Sequence, residues 1–365
     1  MALYIGLMSG TSMDGVDVVL VDVATHQCVA GLTRPYTNNA RVFLDEVLRA
    51  ESVALGTLTQ LSGVLGREFG QAAIELLAQA QVEAKDIVAI GSHGQTICHD
   101  AAAHIPYTVQ LGCPHTIAEM TGIRVVADFR TRDMVVGGQG APFAPLYHQA
   151  LFGHHTLPLT VVNIGGIANV TFLEPSQPPR GYDTGPGNCL MDVWIREIQA
   201  KPYDADGAWA GSGVVIQPLL LKMLSDPYFQ QKPPKSLGKE YFSYDWLTAK
   251  LSHNEAPQDV QATLLELTAM TIAEAICQQI KKPAQVILCG GGVHNRVLHR
   301  AIQRHLNGSH VISSADLGID PDFIEAMMFA WFAEKTIHNE PLDMTALTGA
   351  KKSVVLGAIY PVLGV

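Results

Sequence analysis

The stretch Gly6-Leu7-Met8-Ser9-Gly10-Thr11-Ser12-Met13-Asp14-Gly15-Val16-Asp17 sets a turn of small polar residues between an apolar run beginning at Tyr4 and an alternating run ending at Val23. Short apolar runs bounded by glycine read as strands, so residues 4–8, 9–15 and 16–23 are expected to form the strand, turn and strand of one hairpin. The pattern returns near residue 160, where an apolar run at 159–164 meets Gly165-Gly166 and a second run covers 167–172. Two halves that each open on strand, glycine turn and strand point to a duplicated α/β fold whose related sheets face one cleft.

Working outward, helical periodicity fills about 40–82, and a strand at 87–90 leads into Ser92-His93-Gly94-Gln95-Thr96. Pro114 and Gly122 bracket a short helix by the proline-first, glycine-last asymmetry, and 123–129 reads as the next strand. The second half carries a long helix at 258–280, a buried strand at 285–288, Cys289-Gly290-Gly291-Gly292 opening a further helix, and a last helix at 321–337. Prolines at 175–179 and 232–235 mark surface loops.

Of 365 residues, 48% are hydrophobic and 16% charged, enough for buried cores in two domains. The net charge of -10 excludes nucleic acid or an anionic membrane as an expected partner, because neither polyanion is drawn to such a surface. The six cysteines form no CxxC pair or zinc-like spacing, as expected of reduced thiols in a cytoplasmic protein. The N-terminal run has no basic flank and is interrupted by Ser9 and Gly10, so neither a signal peptide nor an anchor is expected.

No GxxxxGK[ST] and no strand-linked GxGxxG occurs, which disfavours P-loop and Rossmann enzymes. Three glycine turns remain: Gly10 to Gly15, Gly165-Gly166, and Gly290-Gly291-Gly292. Each follows an apolar strand and can present backbone N–H groups at a sheet edge. The first adds the hydroxyls of Thr11 and Ser12 and the acids Asp14 and Asp17, a set able to hold phosphate oxygens and a hydrated magnesium ion, or simply to cap the turn.

In Gly181-Tyr182-Asp183-Thr184-Gly185-Pro186-Gly187-Asn188 an acid precedes a rigid proline turn, which makes Asp183 a candidate base; an Asx turn is the plain alternative. Asp128-Phe129-Arg130 ends a predicted strand ahead of a flexible Val136-Gly137-Gly138-Gln139-Gly140. Arg130 can pair an acidic substrate or serve a structural ion pair. His93 and His99 lack standard metal-ligand spacing, so hydrogen bonding to substrate or packing is the better reading. On the last helix the aromatic and methionine residues read as core, leaving Glu325 either to reach a ligand or to lie exposed.

These blocks resemble the actin, hexokinase and heat-shock ATPase superfamily, with its two phosphate hairpins, adenosine glycine turn and two connecting helices. Within it, Gly6 to Asp17, Gly91-Ser-His-Gly-Gln-Thr96, Asp128-Phe-Arg130, Gly137-Gly-Gln-Gly-Ala-Pro142, Asn163-Ile-Gly-Gly-Ile-Ala-Asn169 and Asp183-Thr-Gly-Pro-Gly-Asn188 are similar to the anhydro-N-acetylmuramic acid kinase family.

The resemblance implies a duplicated actin and hexokinase-like (ribonuclease H-like) two-domain ATPase fold with a central cleft. Residues 1–140 plus about 340–365 would form the first domain and 141–339 the second, joined by helices near 144–152 and 322–336. Nucleotide would be held by Gly10, Thr11, Ser12, Met13, Asp14, Gly15, Val16, Asp17, Gly165, Gly166, Gly290, Gly291, Gly292 and Asn295, with Asp14 touching magnesium. His93, Gln95, Asp128, Arg130 and Glu325 would bind sugar, and Asp183 would activate water.

It further implies ATP and Mg2+ as cofactors, a homodimer, a cytoplasmic location and a place in cell-wall recycling. An ordinary hydroxyl kinase for an intact sugar, or a non-enzymatic ATP-binding protein of the same fold, are the alternatives. A chaperone would be expected to carry a further peptide-binding domain, for which no residues follow.

Overall fold

The computed structural model describes residues 2–10, 15–233, 235–238, 241–252, 254–280, 283 and 285–362. Its contacts divide the chain into two units, Met1–Tyr147 with Phe323–Val365, and His148–Asp322. The sequence reading began the C-terminal return to the first unit at about 340, but the whole last helix belongs there.

The first unit opens with an antiparallel meander of β1 (Leu3–Met8), β2 (Gly15–Asp22) and β3 (Gln27–Pro35). Helices α1 (Asn38–Arg49) and α2 (Leu55–Ala80) lead to β4 (Ile87–Ser92), which runs parallel to β1. A separate hairpin of β5 (Gln95–Asp100) and β6 (Tyr107–Leu111) follows, then α3 (Pro114–Thr121), β7 (Val125–Ala127) parallel to β4, and α4 (Phe129–Val135). Gly122 ends α3 in the left-handed region, as the sequence suggests. β7 stops at Ala127, not at residue 129 as expected, because Asp128 turns left-handed (φ 59°) and starts α4.

Helix α5 (Ala144–Phe152) spans the division. The second unit repeats the meander with β8 (Leu159–Ile164), β9 (Ile167–Leu173) and β10 (Arg180–Pro186). Helices α6 (Cys189–Gln199), α7 (Gln217–Leu224), α8 (Tyr244–Thr248) and α9 (Pro257–Gln279) precede β11 (Gln285–Cys289), then α10 (Arg296–His305) and β12 (His310–Ser313). The chain returns to the first unit with α11 (Ile324–Ile337), α12 (Thr345–Thr348) and β13 (Ala358–Tyr360).

Strand order is β13-β7-β4-β1-β2-β3 in one sheet and β10-β9-β8-β11-β12 in the other. Setting aside the β13 edge, each sheet carries its five strands in the order 3-2-1-4-5, three antiparallel and the rest parallel. The repeat signalled by two glycine hairpins therefore extends to whole sheets, and this is the duplicated actin and hexokinase-like fold.

In the first unit, Ile5, Leu7, Val16, Val18 and Leu20 share a core with Leu61, Leu65 and Phe69 of α2. α11 packs against the same strands so closely that a Cβ at Gly6 would lie 1.8 Å from the Ala326 carbonyl oxygen, and one at Gly91 1.9 Å from that of Phe329. Only glycine admits the helix there, and that contact fixes the first turn of α11, where Glu325 stands. In the second unit α9 is buried along the core. It is the one described helix long and apolar enough to cross a membrane, and 78% of its apolar window is buried within the fold.

Candidate active site

The loop Thr11 to Asp14, including the expected magnesium contact Asp14, lies outside the described residues, but both its ends are fixed. Ser9 Oγ sits 2.7 Å from the Gly15 carbonyl and 2.7 Å from Gln95 Oε1, and it accepts the Tyr36 hydroxyl at 2.9 Å. Gln95 Nε2 reaches the Gly10 carbonyl at 3.4 Å. Buried Gln95, read from sequence as a sugar contact, thus spends its amide on the base of the glycine loop. Val16 is core, whereas Asp17 pairs across the ladder with Met8 at the mouth of that loop and accepts the Thr33 hydroxyl at 2.6 Å.

Beside it lies a cationic centre. Arg130, the second residue of α4, donates through Nε to His93 Nε2 at 3.0 Å and through Nη1 to the Gly140 carbonyl at 2.6 Å. His93 Nδ1 lies 2.9 Å from the Gly94 carbonyl, so the ring must carry its proton on Nδ1 and accept at Nε2. Burial, and then the Arg130 charge, hold His93 well below the usual histidine range. A neutral, doubly engaged imidazole orients the guanidinium and offers nothing to a metal.

Burial pushes Arg130 down to about 10, opposed by Glu325 and Asp133. Burial and then the Asp17 charge push Glu325 up, while Arg130 opposes them. Arg130, Glu325 and Asp17 therefore share one electrostatic neighbourhood. Asp128 is exposed and its left-handed backbone turns it away from strand alternation, so it does not join the His93 and Arg130 hydrogen bonds. His99 stands on β5 with Nδ1 3.1 Å from the Thr108 hydroxyl.

The segment read as flexible at Val136 to Gly140 is anchored. The fully buried Asp133 accepts the Gly140 amide at 2.8 Å and the Thr348 hydroxyl at 2.8 Å, and Gln139 donates to the Thr348 carbonyl at 2.9 Å. A Cβ at Gly138 would lie 2.2 Å from Asp133 Oδ2. Asp133 and Thr348 escaped the sequence reading. Asp133 lies only three residues past Arg130, but the Thr348 partnership has no local signal.

In the second unit, the Gly165-Gly166 turn lies on the start of α6. Asn188 donates to the Gly165 carbonyl at 2.8 Å, and Gly187 and Cys189 donate to that of Gly166 at 2.9 and 3.1 Å. A Cβ at Gly187 would meet the Gly165 oxygen at 2.2 Å. The third glycine turn packs on the same hairpin, since a Cβ at Gly290 (φ 76°) would meet Asn163 Oδ1 at 2.2 Å and one at Gly292 the Ile164 side chain at 2.3 Å. Gly291 faces open space. Asn295 is buried and caps α10 by accepting the Leu298 amide at 2.9 Å, which gives it a structural task next to the turn.

Asp183 belongs to strand β10, which runs on to Pro186 through the residues read as a proline turn. A register shift between Asp183 and Gly185 accommodates one extra residue against β9, and such bulges re-aim neighbouring side chains. Its backbone N–H donates to the Lys235 carbonyl at 3.2 Å, its carbonyl accepts the Tyr228 hydroxyl at 2.5 Å, and Oδ2 accepts the Leu237 amide at 2.9 Å. Burial pushes the carboxyl up to about 6, against the Leu237 hydrogen bond. A base with that affinity is ionised at neutral pH yet holds an acquired proton well, which suits general base catalysis.

No group of three or more histidine, cysteine or acidic side chains that could hold a metal ion occurs among the described residues. Magnesium on a nucleotide needs less, since it keeps several waters and takes one or two carboxylates plus phosphate oxygens. Asp17, a carboxylate at the loop mouth, fits that demand.

The family model described as anhydro-N-acetylmuramic acid kinase matches residues 2–362. The chain belongs to the anhydro-N-acetylmuramic acid kinase family. It is 53% identical over 363 residues to the anhydro-N-acetylmuramic acid kinases of Legionella pneumophila strains Corby and Paris, covering 100% of this chain and 99% of each relative. Among solved structures, component A of the (R)-2-hydroxyglutaryl-CoA dehydratase of Acidaminococcus fermentans superposes with a TM-score of 0.52 over 93% of this chain and 100% of that one, at 12% identity. That likeness concerns the fold alone.

Proposed function

We propose that this chain is an ATP-dependent kinase that opens the ring of 1,6-anhydro-N-acetylmuramic acid with water and phosphorylates O6, giving N-acetylmuramic acid 6-phosphate and ADP. The observation that carries the reading is the family match from residue 2 to residue 362. Asp183 is the base: it takes a proton from water as the water oxygen bonds to the anomeric carbon. As that bond forms the C1–O6 bond breaks toward O6, and O6 takes the γ-phosphoryl group as the bond to ADP breaks. Phosphoryl transfer stands in for the acid an inverting glycosidase needs, so one protein base suffices.

Gly10 to Gly15, Gly165, Gly166 and Gly290 to Gly292 cradle the nucleotide, with Ser9, Tyr36 and Gln95 holding the first loop at its base. Asp14 and Asp17 would meet hydrated magnesium, which neutralises charge on the transferred group. Arg130, oriented by His93, takes the carboxylate of the lactyl ether, and Glu325 and Asp128 complete the sugar-side set. We place the enzyme in the cytoplasm, in peptidoglycan recycling, as a homodimer.

The test is mass spectrometry of the sugar product after incubation with ATP, magnesium and 1,6-anhydro-N-acetylmuramic acid. Ring-opened 6-phosphate is expected. Phosphate on a sugar whose anhydro ring is intact, or on unbridged sugars only, would reduce the assignment to an ordinary hydroxyl kinase.

A further inference from the structure

We infer that the segment from Tyr228 to Leu237 is a positioning device for Asp183, in which the Leu237 amide occupies Oδ2 and so reserves Oδ1 as the oxygen that takes the proton. The inference rests on the reading of Asp183 as the base. Three hydrogen bonds from one segment reach one residue: Lys235 accepts its N–H at 3.2 Å, Tyr228 donates to its carbonyl at 2.5 Å, and Leu237 donates to Oδ2 at 2.9 Å. Backbone and carboxylate are thus gripped from the same side, and β10 alone, paired edge-on to β9, could not set the torsion of the carboxylate. Among the described residues no hydrogen bond reaches Oδ1.

Tyr228 and Lys235 are themselves held in place. Asp226 accepts the Tyr228 amide at 3.0 Å, the Tyr241 hydroxyl at 2.8 Å and Trp246 Nε1 at 2.8 Å, which ties it to an aromatic cluster. Lys235 Nζ donates to the Tyr228 carbonyl at 3.3 Å and lies 4.5 Å from the centre of the Tyr228 ring. The titratable residues bonded or adjacent to Asp183 among those described are Tyr182, next to it on β10 with its hydroxyl on the Ala275 carbonyl, and Tyr228 and Lys235 on the segment. Burial pushes both tyrosines upward, and it pushes Lys235 down from a value far above neutrality. None of the three changes charge near pH 6, but burial also pushes Asp192 on α6 up to about 7, so the limb is assigned to Asp183 by its persistence in Asp192→Asn.

Leu237→Pro deletes the N–H and leaves the side of the loop apolar, whereas Leu237→Ala keeps it. The measurement is kcat against pH from 5 to 9, with binding of a non-hydrolysable ATP analogue as the check on folding. Because the amide favours the ionised form, its loss should move the acid limb of Leu237→Pro upward by about one pH unit and lower kcat about threefold at pH 6.5 and nearly tenfold at pH 5, with little effect at pH 8.5. Leu237→Ala should follow the parent.

An unshifted limb in a Leu237→Pro protein that binds the analogue normally overturns the positioning role while leaving Asp183 as base. If Leu237→Pro does not fold, Tyr228→Phe serves instead: it frees the Asp183 carbonyl, and unchanged kcat and an unchanged limb would overturn the inference. Retained turnover in Asp183→Asn is the separate result that removes the base itself.

Discussion

The two units have the same five-strand order, yet they treat their central charge in opposite ways. In the first, Arg130 is held on several sides: His93 and the Gly140 carbonyl accept from it, Glu325 and Asp133 supply opposing charge, and Asp133 in turn anchors the loop that presents Gly140. In the second, Asp183 has one amide on its carboxylate and burial that pushes it up to about 6. A guanidinium held on several sides binds without changing state, whereas a carboxylate held on one side can accept a proton and return it. The fold supplies the frame twice, and the chemistry differs with how completely each charge is satisfied.

The largest expected effect breaks the second half of that comparison. Asp183→Asn should lower kcat by about a thousandfold, within the ~10²–10⁴ range of a lost general base, while an ATP analogue binds normally by calorimetry. Next comes the first half: Arg130→Lys keeps the charge but not the two-directional fork, and the KM for the anhydrosugar should rise about 10- to 100-fold with little change in the KM for ATP.

The same carboxylate gives a stability test. Its folded value of about 6 exceeds the ordinary aspartate value of 3.8, so folding favours the protonated form, and that contribution is full below about pH 4 and lost as pH rises through 6. Asp183→Asn should therefore be more stable than the parent at pH 8 by up to about 3 kcal/mol, and not at pH 4, in denaturant melts. The smallest effect separates the two titratable candidates: His93→Gln can still accept from Arg130, so the acid limb of kcat should move by less than about 0.3 pH unit.

Much of the frame was legible because strand, glycine turn and strand is a local pattern: β1, β2, β8, β9 and β11 all fall where short apolar runs border a glycine turn. β3, β5 and β6 were missed because their alternation is broken by polar and small residues, and β10 because Gly181, Gly185 and Pro186 read as a turn although the β9 ladder holds them extended. β7 was drawn too long because nothing in Asp128-Phe129-Arg130 announces a left-handed residue other than glycine.

For the site, the residues that carry charge stand out in sequence, but the groups that aim them do not. Leu237 acts through its backbone N–H and Tyr228 through a hydroxyl 45 positions from Asp183, so neither leaves a spacing to recognise. Gln95 was placed on the sugar through the family resemblance. Its burial against Ser9 is a tertiary fact that no local pattern carries.

The central claim is that one base on β10 activates water for ring opening while O6 takes the phosphate. Turnover in oxygen-18 water with early sampling, and with preformed product as the control for slow exchange of the anomeric hydroxyl, tests it directly. The account predicts one labelled oxygen on the anomeric carbon and an unlabelled phosphate ester at O6. Ring-opened 6-phosphate whose anomeric oxygen carries no more label than the control, or phosphate on a sugar with its ring intact, would contradict it.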